Sequence, residues 1–121
     1  MNVYLAGPMR GIPKFNFPAF MEAAEVLRKQ GHKVFNPAER DLDKYDESVL
    51  NSPTGNLGTA EKRGFNLREA LAADLRYVCL KADAVVLLPG WEKSKGATAE
   101  RATAEVLGLE IHLYEDMIKN G

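Results

Sequence analysis

Three short apolar runs, each closed by a glycine or proline turn, alternate along this chain with longer stretches of helical periodicity. Val3-Tyr4-Leu5-Ala6 runs into Gly7-Pro8, Lys33-Val34-Phe35 into Asn36-Pro37, and Ala84 to Leu88 into Pro89-Gly90. Apolar and β-branched residues bounded by such turns read as strands. After the first run, Asn16 reads as the N-cap, with Pro18 in the first turn, of a helix to about Gln30. Phe20, Ala23, Ala24 and Leu27 recur on one face of it, and Gly31 supplies the stop. A second helix is predicted from about Asn66 to Lys81 and a third from about Ala97 to Leu107, ended by Gly108. Glu110 to Leu113 makes a last strand, and the residues after it form one more short helix.

Strands alternating with helices predict an α/β domain with a largely parallel sheet. At 121 residues there is room for one core, so residues 1–121 are expected as a single domain. The expected architecture is a Rossmann-like or flavodoxin-like three-layer sandwich, with helices flanking the sheet. In such sheets ligands sit beyond the carboxyl ends of the strands, which points to the turns after Ala6, Phe35 and Leu88. Residues 38–63 are polar, contain Ser52-Pro53-Thr54-Gly55 and Gly58, and are expected as a long loop or lid. Glu39, Arg40 and Asp41 at its start either enter the pocket or, the favoured reading, lie in a solvated loop.

Composition excludes several partner classes. Sixteen basic against 17 acidic side chains leave a net charge of -1, which gives no footing for duplex DNA or an anionic membrane. The longest aliphatic run, Ala84 to Leu88, is far too short to span a bilayer. Met1 runs into an apolar strand without a basic-then-apolar leader, and Cys79 stands alone. A cytoplasmic protein without disulfides is expected. His32 and His112 follow no metal-ligand spacing, so neither a metal nor another cofactor is expected.

Two acids fall on apolar faces. At about 100° per residue, Asp74 lies in the stripe of Leu67, Leu71 and Val78, and Glu100 shares its stripe with Ala97, Ala104 and Leu107. A carboxylate so placed must be paired, protonated or lining a cavity, because an isolated buried charge costs several kcal/mol or more. Asp74 is either a structural acid bonded to backbone amides or a functional one. Glu100 is either a first-turn acid favoured by the helix dipole or a reactive group. Its neighbours favour the second. Ser94-Lys95-Gly96-Ala97-Thr98-Ala99-Glu100 is a glycine-containing loop entering a helix N-terminus, a place whose free N–H groups favour phosphate. Gly7-Pro8-Met9-Arg10-Gly11 is a second such turn, and Arg10 can grip phosphate bidentately. Trp91, just after Pro89-Gly90, is placed to stack on a base or to pack in its loop.

These patches resemble the nucleoside 2-deoxyribosyltransferase superfamily. The likeness is greatest to the branch of 2'-deoxynucleoside 5'-monophosphate N-glycosidases, the related cytidylate hydrolases, and their short phage and bacterial relatives. Three segments carry it in order: Tyr4 to Gly11; Asp74 with Lys81-Ala82-Asp83-Ala84-Val85-Val86; and Ser94 to Glu100, matching a Ser-x-Gly-x-x-x-Glu nucleophile segment. The resemblance implies that Glu100 attacks the anomeric carbon to form a glycosyl-enzyme intermediate. It implies that Asp74 manages the proton of the leaving base and that the Tyr4 hydroxyl orients Glu100. Ser94 occupies the position that binds the 5'-phosphate in the phosphate-handling branch. With Arg10, Gly11 and Gly96 as further phosphate contacts, and Gly7, Met9 and Trp91 in the pocket, it implies a nucleoside monophosphate as partner. It also implies a homodimer or higher homo-oligomer. The chain departs from the family at Thr98, where a glycine is usual, and at the Pro8-Met9 pair.

The residue types suit that reaction. Breaking an N-glycosidic bond develops positive charge on the sugar and negative charge on the base; a carboxylate stabilises or captures the first and a carboxylic acid relieves the second. Glu100 is expected ionised at its helix N-terminus and Asp74 neutral in apolar surroundings. Water as acceptor gives hydrolysis; a second base gives deoxyribosyl transfer. A non-catalytic nucleotide-binding module on the same fold is the rival reading. A phosphoribohydrolase of the lysine-decarboxylase-like type is disfavoured, since its Pro-Gly-Gly-x-Gly-Thr run is absent.

Overall fold

The computed structural model describes residues 1–45, 47 and 52–119. Four parallel strands, β1 (Asn2–Ala6), β2 (Lys33–Phe35), β3 (Ala84–Leu87) and β4 (Glu110–Leu113), form one sheet in the order β2-β1-β3-β4. The helices are α1 (Phe17–Lys29), α2 (Pro37–Lys44), α3 (Leu57–Lys62), α4 (Leu67–Leu80), α5 (Lys95–Val106) and α6 (Tyr114–Lys119). The fold is α/β with helices on both faces of an all-parallel sheet, compatible with a three-layer Rossmann-like sandwich.

The two-residue period of the strands sorts their side chains between two cores. Val3, Leu5, Ala84 and Val86 face the α1 stripe of Phe17, Phe20, Ala23, Ala24 and Leu27. Tyr4, Ala6, Val85 and Leu87 face Val78 of α4 and Ala97 and Ala104 of α5. Both central strands are buried on both faces, as a parallel sheet requires. A fully buried Phe20 or Leu27 contributes about 1.5–3 kcal/mol through the apolar area it removes from water. Asp83 closes the turn into β3, its carboxylate accepting the Asn2 N–H at 2.8 Å.

Among its described residues, the expected lid is largely helical. Asn36 caps α2 by accepting the Ala38 N–H at 2.9 Å, with Pro37 at the first helical position, so these two residues begin a helix rather than merely ending β2. Asn56 caps α3 in the same way through Thr59, at 2.9 Å. The part of the expected lid at residues 46 and 48–51 lies outside the described residues. Three further corrections concern helix ends. Asn16 precedes α1 but does not cap it with its side chain: it is left-handed (φ 62°) and its Nδ2 donates to the Pro8 carbonyl at 3.0 Å. Ser94 caps α5 by accepting the Ala97 N–H at 3.1 Å, so the helix begins at Lys95 and Glu100 stands in its second turn, not its first. Leu107 lies past the helix end and is 47% exposed. Among the described residues no helix is long and apolar enough to cross a membrane.

Candidate functional site

A cavity of about 720 Å³ opens at the carboxyl ends of β1, β2 and β3. Its walls come from the turn after β1 (Gly7 to Arg10), the start of α2, the inward face of α4, and the Pro89-Gly90 turn leading into α5. This is the crevice that an open parallel sheet provides where neighbouring strands continue in opposite directions. Its volume lies in the range of small-molecule sites.

Tyr4 reaches the cavity from the centre of β1. Its ring is stacked 5.6 Å from Phe35, and its hydroxyl donates to Glu100 Oε2 at 2.7 Å, joining residues 96 positions apart. Asp74 stands on the buried Ala70, Asp74, Val78 stripe of α4 and lines the same cavity. The two acids found by helical phase are therefore brought together, and both are buried, at 8% exposure for Asp74 and 5% for Glu100.

The third participant is Arg40 of α2, which sequence reasoning placed in a solvated loop. Arg40 Nη1 donates to Asp74 Oδ1 and, at 3.1 Å, to the Ala70 carbonyl. Its Nε and Nη2 donate to Asp41 Oδ1 at 2.9 and 2.8 Å, and its guanidinium lies 5.8 Å from the Phe35 ring centre. The signal that reveals Asp41, and with it Arg40, is the rule that revealed Asp74. Once Asn36-Pro37 is read as a helix start, Asp41 falls on the buried face of Pro37 and Ala38.

Protonation departs from the sequence expectation. Burial, reinforced by the neighbouring Asp74 charge, pushes Glu100 up to about 8. Burial also raises Asp74, but the Arg40 cation opposes it and the value is about 6. Glu100 is thus the more readily protonated of the two, the reverse of what the helix-dipole argument predicts. Its place in the second turn removes it from the dipole's reach, whereas Asp74 has a direct ion pair. Burial raises the Tyr4 hydroxyl well above its ordinary range, so it remains a donor to Glu100.

Of the remaining sequence-predicted residues, Gly7, Met9, Arg10, Ser94 and Gly96 all line the cavity. Gly11 and Trp91 do not. Gly11 is exposed with φ 78°, and its N–H is already donated to the Gly55 carbonyl at 2.9 Å, so its role is the left-handed turn rather than a contact. Gly90, also left-handed (φ 87°), turns the chain so that Trp91 packs on the core shared by β1, β3, α4 and α5. There the Arg101 guanidinium sits 5.4 Å from its ring centre. Lys93 and Lys95 add two cations to the lining that the sequence did not single out. Phe15 and Asn16 also line the cavity, and their backbone, with Lys14, forms a run of three left-handed residues. Such residues cost about 1–2 kcal/mol each. Bonds from Lys14 N–H to Ser52 O (2.8 Å) and from Phe15 N–H to Ile12 O (2.9 Å) hold the turn in place. Among the described residues, no three His, Cys, Asp or Glu side chains are placed to hold a metal ion.

A family model described as a domain of unknown function, DUF4406, matches residues 1–113. No curated protein matches the chain.

Proposed function

The chain belongs to the DUF4406 family, and from its own site we propose that it is an N-glycosidase of a nucleoside 5'-monophosphate, acting through a glycosyl–Glu100 intermediate. The observation that carries this reading is the Tyr4–Glu100 hydrogen bond in one cavity with Asp74 and the N-terminus of α5. A carboxyl held by a hydroxyl on one side, beside a second acid, is suited to attack an anomeric carbon from a fixed direction. Asp74 is the group that carries a proton to the departing base, and water on the opposite course releases the sugar phosphate.

The phosphate end has its own support. The Lys95 and Gly96 N–H groups belong to the first turn of α5, where no intrahelical acceptor reaches them. Ser94 accepts from Ala97, which leaves its hydroxyl hydrogen for a ligand oxygen. Arg10, Lys93 and Lys95 surround that end with positive charge. A monoanionic or dianionic phosphate fits this lining better than an uncharged 5'-hydroxyl does. A homodimer or higher homo-oligomer accompanies the same reading and is read directly by light scattering.

Chromatography of a panel of nucleoside monophosphates, their nucleosides and modified-base forms tests the proposal. Free base is expected from at least one monophosphate and far less from its nucleoside. Glu100→Ala is expected to lower turnover by on the order of 10⁴-fold or more, with the fold retained. Arg10→Ala and Ser94→Ala are expected to raise KM for the monophosphate with a smaller effect on kcat. Tight binding without release of base from any member of the panel overturns the enzymatic reading in favour of a nucleotide-binding module.

A further inference from the structure

The cluster at the cavity floor holds three buried acids and one partly buried cation. Asp41, Asp74 and Glu100 are 3%, 8% and 5% exposed, and Arg40 is the cation that bonds two of them. Its guanidinium is committed to Asp41 through Nε and Nη2 and to Asp74 through Nη1, while Glu100, which accepts from the neutral Tyr4 hydroxyl and faces the Asp74 carboxyl, has no ion pair among the described residues. Arg40 itself lines the cavity, with 19% of its side chain exposed, so a ligand entering the site reaches it. Among the described residues, the charged and titratable groups that face the pair come from four elements. Tyr4 comes from β1, Arg40 and Asp41 from α2, Asp74 from α4 and Glu100 from α5. Lys44 acts on Asp41 from the far end of α2, and Arg10, Lys93 and Lys95 stand in the exposed part of the lining.

We propose that Arg40 is a positioning residue for this site: by bonding Asp74 it keeps that carboxylate charged in the empty cavity, so that the one proton shared by the two acids rests on Glu100 until substrate arrives. This rests on the N-glycosidase reading for its chemical meaning, though not for its measurement. Three negative charges around one guanidinium, out of water, cost more than two, so one acid must take a proton. The acid without a cation is the one that takes it. The direction of the titration shifts agrees, with Glu100 raised further than Asp74.

The consequence for the reaction balances. In the resting site Glu100 is a carboxylic acid and Asp74 a carboxylate. As substrate draws Arg40 away from Asp74, the proton passes from Glu100 to Asp74. The Glu100 carboxylate then forms a bond to the anomeric carbon while the bond from that carbon to the base nitrogen breaks. The base leaves with the electron pair and takes the proton from Asp74. Water next attacks the anomeric carbon, giving one proton to Asp74 and breaking the ester to Glu100. Return of that proton to Glu100 restores the resting state. Nothing beyond water and the nucleotide is consumed. Arg40 touches no reacting atom; it decides where the proton waits, and so keeps the nucleophile masked in the empty site.

Site-resolved carboxyl titration by carbon-13 NMR of the ligand-free protein tests this, with Asp74→Asn and Glu100→Gln fixing the assignments. In the parent, Asp74 is expected to titrate below Glu100. In Arg40→Gln the Asp74 midpoint is expected to rise by about 2–3 pH units, enough to reach or pass Glu100, and the acid limb of kcat/KM against pH is expected to move up with it. Arg40→Lys, which keeps the charge, is expected to restore the parent order of midpoints. If Arg40→Gln alone fails to fold, the double variant Arg40→Gln/Asp41→Asn, which removes the acid left without a partner, carries the same titration. Midpoints that stay in place in a folded variant overturn the proposal, even if that variant melts earlier or turns over more slowly. A parent protein that releases base while those midpoints stay in place defeats Arg40 alone. A parent that releases no base from any nucleotide, with midpoints that move, defeats the N-glycosidase reading alone.

Discussion

A carboxyl buried beside another acid is stable only while one of the two holds a proton, and at Glu100 that condition sets the pH behaviour of the residue. Its folded-state value of about 8 lies above the usual 4.5. The folded protein therefore binds more protons than the unfolded chain between those values, and the Glu100 contribution to stability is lost as pH rises through that window. Glutamine mimics the protonated acid: its carbonyl still accepts from Tyr4 and its amide donates toward Asp74. Glu100→Gln is accordingly expected to match the parent in melting temperature near pH 5 and to exceed it near pH 9 by on the order of 5–10 °C, while losing turnover. Melting curves at the two pH values check this, and parallel loss or gain at both sinks it. Helical phase made this residue and Asp74 legible in the sequence, because a polar side chain on an apolar stripe needs no knowledge of the tertiary structure to be noticed. Arg40 was not legible while Asn36-Pro37 was read only as a strand end. Its inward course depends on a partner 34 residues away, and it sits in Pro37-Ala38-Glu39-Arg40-Asp41-Leu42-Asp43-Lys44, where charge outweighs the apolar pattern.

At the scale of single elements, α5 shows how a helix end is set aside for a ligand. Gly96 lies in its first turn in helical conformation, and an added Cβ would meet only Ser94 Oγ, at 3.9 Å. The backbone therefore does not require glycine here, and alanine is the better helix former by up to about 1 kcal/mol. A glycine kept open at a cavity wall, at a cost to its own helix, leaves room for something to approach the backbone. Gly96→Ala is expected to raise the melting temperature by about 3–6 °C while weakening monophosphate binding by roughly tenfold. Calorimetric unfolding and binding titration of the same variant separate the two effects; a variant stabilised without loss of binding removes Gly96 from the phosphate contacts. Gly55 behaves in the opposite way. It is left-handed (φ 68°), and an added Cβ would fall 2.2 Å from the Ile12 carbonyl oxygen, so it is structural, fastening the turn after β1. Elements with a strong period, such as α1 and α4, were readable within a residue or two. Two others were hidden by local chemistry. In α2, Asn36-Pro37 serves equally well to end a strand or begin a helix, and in the left-handed turn Lys14-Phe15-Asn16 only Asn16 is of a type that favours positive φ.

The whole molecule joins these pieces through the strand order β2-β1-β3-β4, which puts three strand ends and five helices around one opening. A ligand there touches segments from Tyr4 to Glu100, most of the length of the chain, so its binding energy is felt as global stability rather than as the ordering of one loop. At a hundredfold excess over Kd the linkage amounts to about 2.7 kcal/mol, or roughly 10 °C for a domain of this size. Glu100→Gln is the form in which to measure it, since substrate persists. A nucleoside monophosphate is expected to give that shift and its nucleoside a smaller one at equal concentration. The difference between them is expected to shrink between low salt and about 0.5 M salt, because Arg10, Lys93 and Lys95 lie exposed where mobile ions screen them. The remaining shift comes from contacts in the buried floor, which salt barely reaches. Equal shifts for both ligands, or a difference indifferent to salt, removes the charged rim from the recognition of phosphate and leaves only the acid pair and its apolar surroundings to choose the ligand.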